Sequence, residues 1–144
     1  MEEGKIRLEV VTPERLLFRE EVDEVTAPGA GGEFGVLPGH TPFLCRLDVG
    51  ALSYRKGDRL HFVSVVGGFA EMGPNYVTVL AERAERAEEI DVGRAREARK
   101  RAERHLARQT EGSVDFDRAA AALRRAMSRL RVATLAGEGR EEEG

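Results

Sequence analysis

The chain has no tryptophan, one cysteine (Cys45), one asparagine (Asn75) and one glutamine (Gln109) among 144 residues. A lone cysteine excludes an internal disulfide and a cysteine-based metal cluster. The three histidines, His40, His61 and His105, are far apart. No two stand at a ligand spacing, so neither a metal site nor a catalytic histidine is expected. No apolar run approaches the roughly 20 residues that a membrane-spanning helix needs. The first residues, MEEGKIRLEV, lack the basic and apolar regions of a signal peptide. These absences lead to the expectation of a cytosolic protein without direct membrane insertion, able to sit on a membrane complex through a partner.

What is abundant is charge. Charged residues make up 34% of the chain and hydrophobic ones 41%, which fits a modest core with an elongated, solvated extension. The charge is also segregated. Residues 1–90 carry ten Lys or Arg against sixteen Asp or Glu, residues 91–136 carry twelve against six, and residues 137–144 carry one against four. A near-neutral total of −3 thus hides segments of −6, +6 and −3. The basic segment is expected to meet an anion.

The first 80 or so residues alternate like strands and are punctuated by turns. Leu8, Val10 and Thr12 alternate with Arg7, Glu9 and Val11. Pro28-Gly29-Ala30-Gly31-Gly32, Pro38-Gly39, Lys56-Gly57-Asp58, Gly67-Gly68 and Gly73-Pro74-Asn75 mark the turns. The run from Leu60 to Val66 predicts a strand buried on both faces. Eight or more short strands at this spacing predict a sandwich or flattened barrel, and the absence of a long intervening helix argues against a βαβ sheet.

From Ala81 the period changes. The charge run 81–89 predicts a solvated helix or linker. Val92, Ala95, Ala98, Ala102 and Leu106 recur at helical steps, Gly112 interrupts, and Phe116, Ala119, Ala120, Leu123, Met127 and Leu130 repeat the pattern. Two such helices with a short link predict an antiparallel hairpin. The fold class is therefore α+β: an antiparallel β-sandwich over residues 1–86, a two-helix hairpin over 87–136, and a disordered acidic tail over 137–144. Alanine favours helix but buries little area, so the hairpin is expected to be specified in shape and weakly held. It is either an ordinary stabilising element or a moving one.

Asp91 is a good N-cap for the first helix. Arg94 stands where a capping box would place Glu or Gln, and a cation there opposes the helix dipole, which suggests that it has another task. On the second helix Arg118, Arg125 and Arg129 form one stripe, and no acid falls between Arg118 and Ala136. Guanidinium groups suit phosphate or carboxylate. The plainer reading is a soluble basic face partly neutralised by Asp117, Glu97 and Glu103. The glycines at 29, 31, 32 and 35 do not fit a dinucleotide fingerprint, and no Walker or nucleophile-elbow motif is present. Nothing in the sequence makes a positive case for catalysis. A nucleic-acid-binding module using the basic helices is a rival reading, as is a ligand-binding sandwich enzyme, although no carboxylate pair stands out.

Three stretches, VVTPERLLFREEVDEVTAPGAGGEFGVLPGH (10–40), VVGGFAEMGPNYVTVLAERAERAEEIDVGRA (65–95) and DFDRAAAALRRAMSRLRVA (115–133), resemble the epsilon subunits of bacterial F-type ATP synthases. That resemblance implies a ten-stranded sandwich followed by a helical hairpin, and a non-catalytic role. The sandwich would join the gamma subunit and the membrane rotor ring on the cytoplasmic face of the cell membrane, coupling proton or other ion movement to ATP synthesis. Glu33 and the Pro38-Gly39-His40 turn match the family's ring- and gamma-facing loops. No cofactor is required, but ATP is implied as a regulatory ligand of the folded-down hairpin. The extended hairpin would reach the alpha and beta subunits of the catalytic head and inhibit hydrolysis. Ile90, Asp91, Arg94 and Ala95 match the first part of the family's ATP signature, and Arg125 and Arg129 match the second. Glu85 and Arg101 occupy positions that also contribute in nucleotide-binding relatives. Gly93 departs from the aliphatic residue usual there, which implies a more flexible helix start.

Overall fold

A computed structural model describes residues 4–143. Ten strands come first: β1 (Ile6–Val11), β2 (Leu16–Val22), β3 (Glu24–Gly29), β4 (Gly32–Val36), β5 (Phe43–Arg46), β6 (Gly50–Lys56), β7 (Arg59–Val66), β8 (Phe69–Met72), β9 (Tyr76–Leu80) and β10 (Arg83–Arg86). A 3-10 turn, Ala87–Glu89, leads into helices α1 (Val92–Ala107) and α2 (Val114–Glu143). The strands form two five-stranded sheets, in the orders β2-β1-β9-β8-β5 and β10-β7-β6-β3-β4. The pairings within them are antiparallel except that β1 and β9 run parallel. These two strands are far apart in sequence, so no hairpin forces them to be antiparallel.

The core between the sheets follows from period-two alternation. Ile6, Leu8 and Val10 on β1, Val63 and Val65 on β7, and Val77 and Val79 on β9 are at most 1% exposed. Val22 and Val25 are both buried, three residues apart, because the chain crosses from one sheet to the other at Asp23. That crossing is the cause of the broken alternation seen in the sequence. The run 60–66 is buried on both faces only in its second half: Val63, Ser64 and Val65 are buried, while Leu60 is 58% exposed. The β6–β7 hairpin turns on Gly57-Asp58, with Gly57 at φ 65°, as a tight turn needs.

The outer face of the second sheet is covered by helix. α2 lies on β7 and β6 and against the 3-10 turn, and α1 packs on α2. Ala87, Ile90 and Val132 form a small second core there with Ala51 and Phe62 of the sheet. The helix seam is mostly alanine, with Ala95 and Ala102 of α1 and Ala119 and Ala126 of α2 buried. Met127, expected in the seam, is 53% exposed. It lies about 100° around the helix from Ala126, off the stripe that faces α1.

Two further expectations are corrected. The charge run 81–89 is not a solvated helix. Its middle is edge strand β10, paired antiparallel with β7. Ala84 packs against the sandwich core, and the Arg86 guanidinium lies 4.6 Å over the Phe18 ring. Tertiary pairing here outweighs helix propensity. α2 also continues to Glu143, through the segment expected to be a disordered tail; residue 144 lies outside the described residues. Propagating a formed helix adds one hydrogen bond per residue, and Arg and Glu are favourable in it. These gains offset glycine costs of about 1 kcal/mol each. Among the described residues no helix is long and apolar enough to cross a membrane.

Candidate functional site

Strand alternation puts Arg83 and Glu85 on the face of β10 away from the core, opposite Val66 and Ser64 of β7. The hairpin lies over that face. Between them is a groove of about 820 Å³, lined by β7, β10, the β1–β2 turn and both helices. Its alanine walls (Ala98, Ala102, Ala119, Ala122 and Ala126) leave room where larger side chains would fill the space. Six arginines line it: Arg15, Arg83, Arg101, Arg118, Arg125 and Arg129. The acids are Glu85 and Glu89, and His105 also contributes.

The two carboxylates are already engaged. Arg129 grips Glu85 as a fork, donating from Nε to Oε1 at 2.8 Å and from Nη2 to Oε2 at 3.2 Å. Glu89 accepts from Arg15 at 3.5 Å. Among the described residues, no carboxylate pairs with Arg83, Arg101, Arg118 or Arg125. Several guanidinium groups therefore converge on one apolar-walled space without counter-charge. Such an arrangement suits a multiply charged anion with an apolar part.

The expected ATP-contact residues divide into two sets. Glu85, Arg101, Arg125 and Arg129 line the groove together. The Arg118–Arg125–Arg129 stripe read from the sequence also faces it. Ile90, Asp91, Arg94 and Ala95 do not line it and have local roles. Ile90 is 8% exposed in the second core and Ala95 is fully buried in the helix seam. Asp91 caps α1, its Oδ1 accepting from the Arg94 N–H at 3.0 Å. The Arg94 guanidinium turns back to Asp91 Oδ2 at 3.6 Å and stays largely exposed, so its misfit with the helix dipole is locally balanced. Gly93, in the same turn, would bring an added Cβ no closer than 3.4 Å to Asp91 Oδ1, so steric crowding does not require glycine there. Sequence reasoning missed Arg15, Arg83 and His105. Arg83 was within reach, since it stands two residues before Glu85, but only after β10 is known to be a strand.

Glu33 and the Pro38-Gly39-His40 turn are not one patch. Glu33 is exposed beside the β3–β4 turn, and the other three follow the opposite end of β4. The five residue steps from Glu33 to Pro38 span about 16 Å when extended. The turn is tied down by Gly39 donating to the Pro74 carbonyl at 2.7 Å, with Gly39 at φ 90°.

Elsewhere, the uncovered face of the first sheet carries an apolar row. Register aligns Phe69 with Leu80, Leu80 with Val11, and Val11 with Leu16. Phe69, Leu80 and Leu16 are 50%, 53% and 45% exposed, and Leu44 on the adjoining edge strand, diagonal to Phe69 on the same face, is 64% exposed. A contiguous exposed apolar row of this kind marks a contact surface.

Comparison with known proteins agrees with this architecture. The family profile "ATP synthase, Delta/Epsilon chain, beta-sandwich domain" matches residues 5–87, and "ATP synthase, Delta/Epsilon chain, long alpha-helix domain" matches residues 88–134. An ATP synthase epsilon chain of Nitratidesulfovibrio vulgaris (strain DP4) is 56% identical over 130 residues, covering 90% of this chain and 96% of that one. One from Syntrophobacter fumaroxidans is 57% identical over 129 residues, with coverages of 90% and 96%. A chain in the Euglena gracilis mitochondrial ATP synthase (OSCP/F1/c-ring) shares the fold at a TM-score of 0.77 and 24% identity, covering 92% of this chain and 82% of that one. The chain belongs to the epsilon-subunit family of bacterial F-type ATP synthases.

Proposed function

We propose that the chain is a non-catalytic subunit of the rotary central stalk, and that it couples ion-driven rotation to ATP synthesis while its hairpin senses ATP. The sandwich holds the gamma subunit and the rotor ring, on the cytoplasmic face of the membrane. The docked hairpin holds ATP in the arginine groove. When ATP is scarce, the hairpin extends toward the alpha and beta subunits and restrains hydrolysis.

The observation that carries this reading is the convergence of Arg101, Arg118 and Arg125 beside the Arg129–Glu85 fork in a groove of nucleotide size. The nucleotide-sized volume of the groove suits a small anion better than a nucleic acid backbone. The exposed row Phe69–Leu80–Val11–Leu16 supports a large apolar partner on the opposite side, as contact with gamma requires.

Energetics make an ATP-controlled balance reasonable. Among the described residues, the second core that anchors the hairpin has Ile90 and Val132 as its sizeable buried side chains, with Phe62 partly buried against them; each of the two is worth about 1.5–3 kcal/mol. ATP at 100 times its dissociation constant stabilises the bound form by about 2.7 kcal/mol. The two are of the same order, so ligand occupancy can decide the position of the hairpin, provided that ATP binds the docked form better.

Calorimetric titration of the full chain with ATP, beside Arg125→Ala and Arg129→Ala, is the direct test. Binding that both substitutions weaken supports the reading. A wild-type chain that binds no ATP leaves a coupling subunit without a nucleotide sensor.

A further inference from the structure

An anion that only the hairpin held would not control the hairpin. A ligand shifts a two-state equilibrium only through its differential affinity for the two states. Arg101 stands on α1, and Arg118, Arg125 and Arg129 on α2. These side chains travel with the hairpin. For ATP to favour docking of a hairpin that moves as one unit, the sandwich has to contribute a favourable contact of its own; an anion spanning α1 and α2 favours only their packed arrangement.

The sandwich side of the groove offers few candidates. Glu85 can accept from a base or ribose donor, but as a carboxylate it repels phosphate. Arg15, in the β1–β2 turn, already has Glu89 at 3.5 Å as a loose, exposed counter-charge. Arg83 remains. It stands two residues before Glu85 on β10, which puts both side chains on the groove face about 7 Å apart. Alternation sends Ala84 and Arg86 the other way, to the core and the Phe18 ring. Arg83 is exposed and, among the described residues, has no carboxylate partner. A fixed strand places this cation across the groove from the unpaired arginines of the helices.

We propose that Arg83 is a further phosphate-holding residue, and that polyphosphate bound through it bridges β10 to α2 and staples the hairpin to the sandwich. This rests on the ATP reading of the groove and names a sandwich residue that adds to ATP's preference for the docked state. Arg83 would be a ligand contact only in that state, because undocking separates β10 from α2.

The test uses the full-length chain and metal-free ATP, by calorimetry, with Arg83→Ala and Arg83→Lys beside wild type. A lost charge-assisted hydrogen bond predicts roughly tenfold weaker ATP binding in Arg83→Ala. Arg83→Lys should recover part of that, because it keeps the charge without the fork. The ligand-free unfolding temperature should match wild type in both variants, while the rise in that temperature on adding ATP should shrink in Arg83→Ala. Wild-type affinity in Arg83→Ala overturns the proposal and leaves the ATP reading standing. So does a loss that lysine does not recover at all, or one that comes with a lower ligand-free unfolding temperature. A wild-type chain that binds no ATP removes both.

Discussion

Asp23 stands where the chain passes from one sheet to the other, and its carboxylate collects two donors and a nearby cation. Lys5 Nζ is bound to Oδ1, the Gly57 N–H donates to Oδ2 at 2.7 Å, and Arg55 Nη1 lies 3.7 Å away. The Lys5 hydrogen bond, then the Gly57 N–H, hold the carboxyl below its ordinary value of 3.8, against a smaller opposing effect of desolvation. A depressed folded-state value means that the unfolded chain binds the proton more readily. The stabilisation is therefore present above pH of about 4 and is lost as pH falls through the folded value. Asp23→Asn is expected to lower the urea midpoint at pH 7, with the gap from wild type closing below about pH 4. A gap of equal size at pH 7 and pH 3 would show that the charge is not the cause. Gly68 makes a different residue-level demand. Its φ is 102°, and a Cβ built on it would lie 2.0 Å from the Leu80 carbonyl oxygen. The β7–β8 crossover runs directly against β9 at that point, so Gly68→Ala combines a left-handed backbone penalty with a backbone clash. It is expected to cost about 3 kcal/mol or more by denaturant titration. A loss below about 1 kcal/mol would mean that the crossover moves aside easily.

At the scale of elements, the hairpin is the part held least tightly. Val132 is fully buried between α2 and the second sheet, and Val132→Ala removes about 1–3 kcal/mol of packing from a small anchor. Hydrogen exchange should show reduced protection in α1 and α2 with little change in β1 and β9, whose Leu8 and Val79 lie in the separate main core. A loss spread evenly over all elements would mean that sandwich and hairpin unfold as one unit. The two parts also differed in how readily the sequence revealed them. Strand alternation and turn glycines announced the sandwich, because one face of each strand is buried and every turn has its own chemistry. The hairpin followed from its 3.6-residue period. β10 stayed hidden because Ala81–Glu89 has the composition of a helix, and only pairing with β7 makes it a strand. Met127 was misplaced because apolar character alone does not fix the angle of a helical stripe when alanines supply the true seam. The groove was half legible: the α2 arginine stripe is periodic in sequence, whereas Arg15 and Arg83 reach it through the β1–β2 turn and the edge of a sheet.

At the scale of the whole molecule, the layers run from an open sheet face with an apolar row along one end, through the sandwich core, to a second sheet, α2 and then α1. The two candidate contact regions thus lie on opposite sides of the sandwich core and have opposite chemistry. Phe69, Leu80 and Leu16 face outward on one side, and the unpaired arginines line the groove on the other. Leu80 and Arg125 lie on different sheets' outer sides and share no partner, so their substitutions should act independently. Leu80→Glu places a charge in the centre of the apolar row and is expected to weaken association with the gamma subunit at least tenfold, by desolvating a carboxylate in the interface. Leu80 is half-exposed, so the free subunit should stay folded and bind ATP as wild type. Arg125→Ala is expected to do the reverse, losing ATP binding while keeping wild-type affinity for gamma. Pull-down with gamma and calorimetry with ATP, run on both variants, give four results, and the proposed division of labour requires this crossed pattern. If Leu80→Glu left gamma binding unchanged, the apolar face would have to serve another partner. If Arg125→Ala weakened gamma binding as much as ATP binding, the groove would be part of the gamma contact, and the hairpin could not leave the sandwich without loosening the stalk.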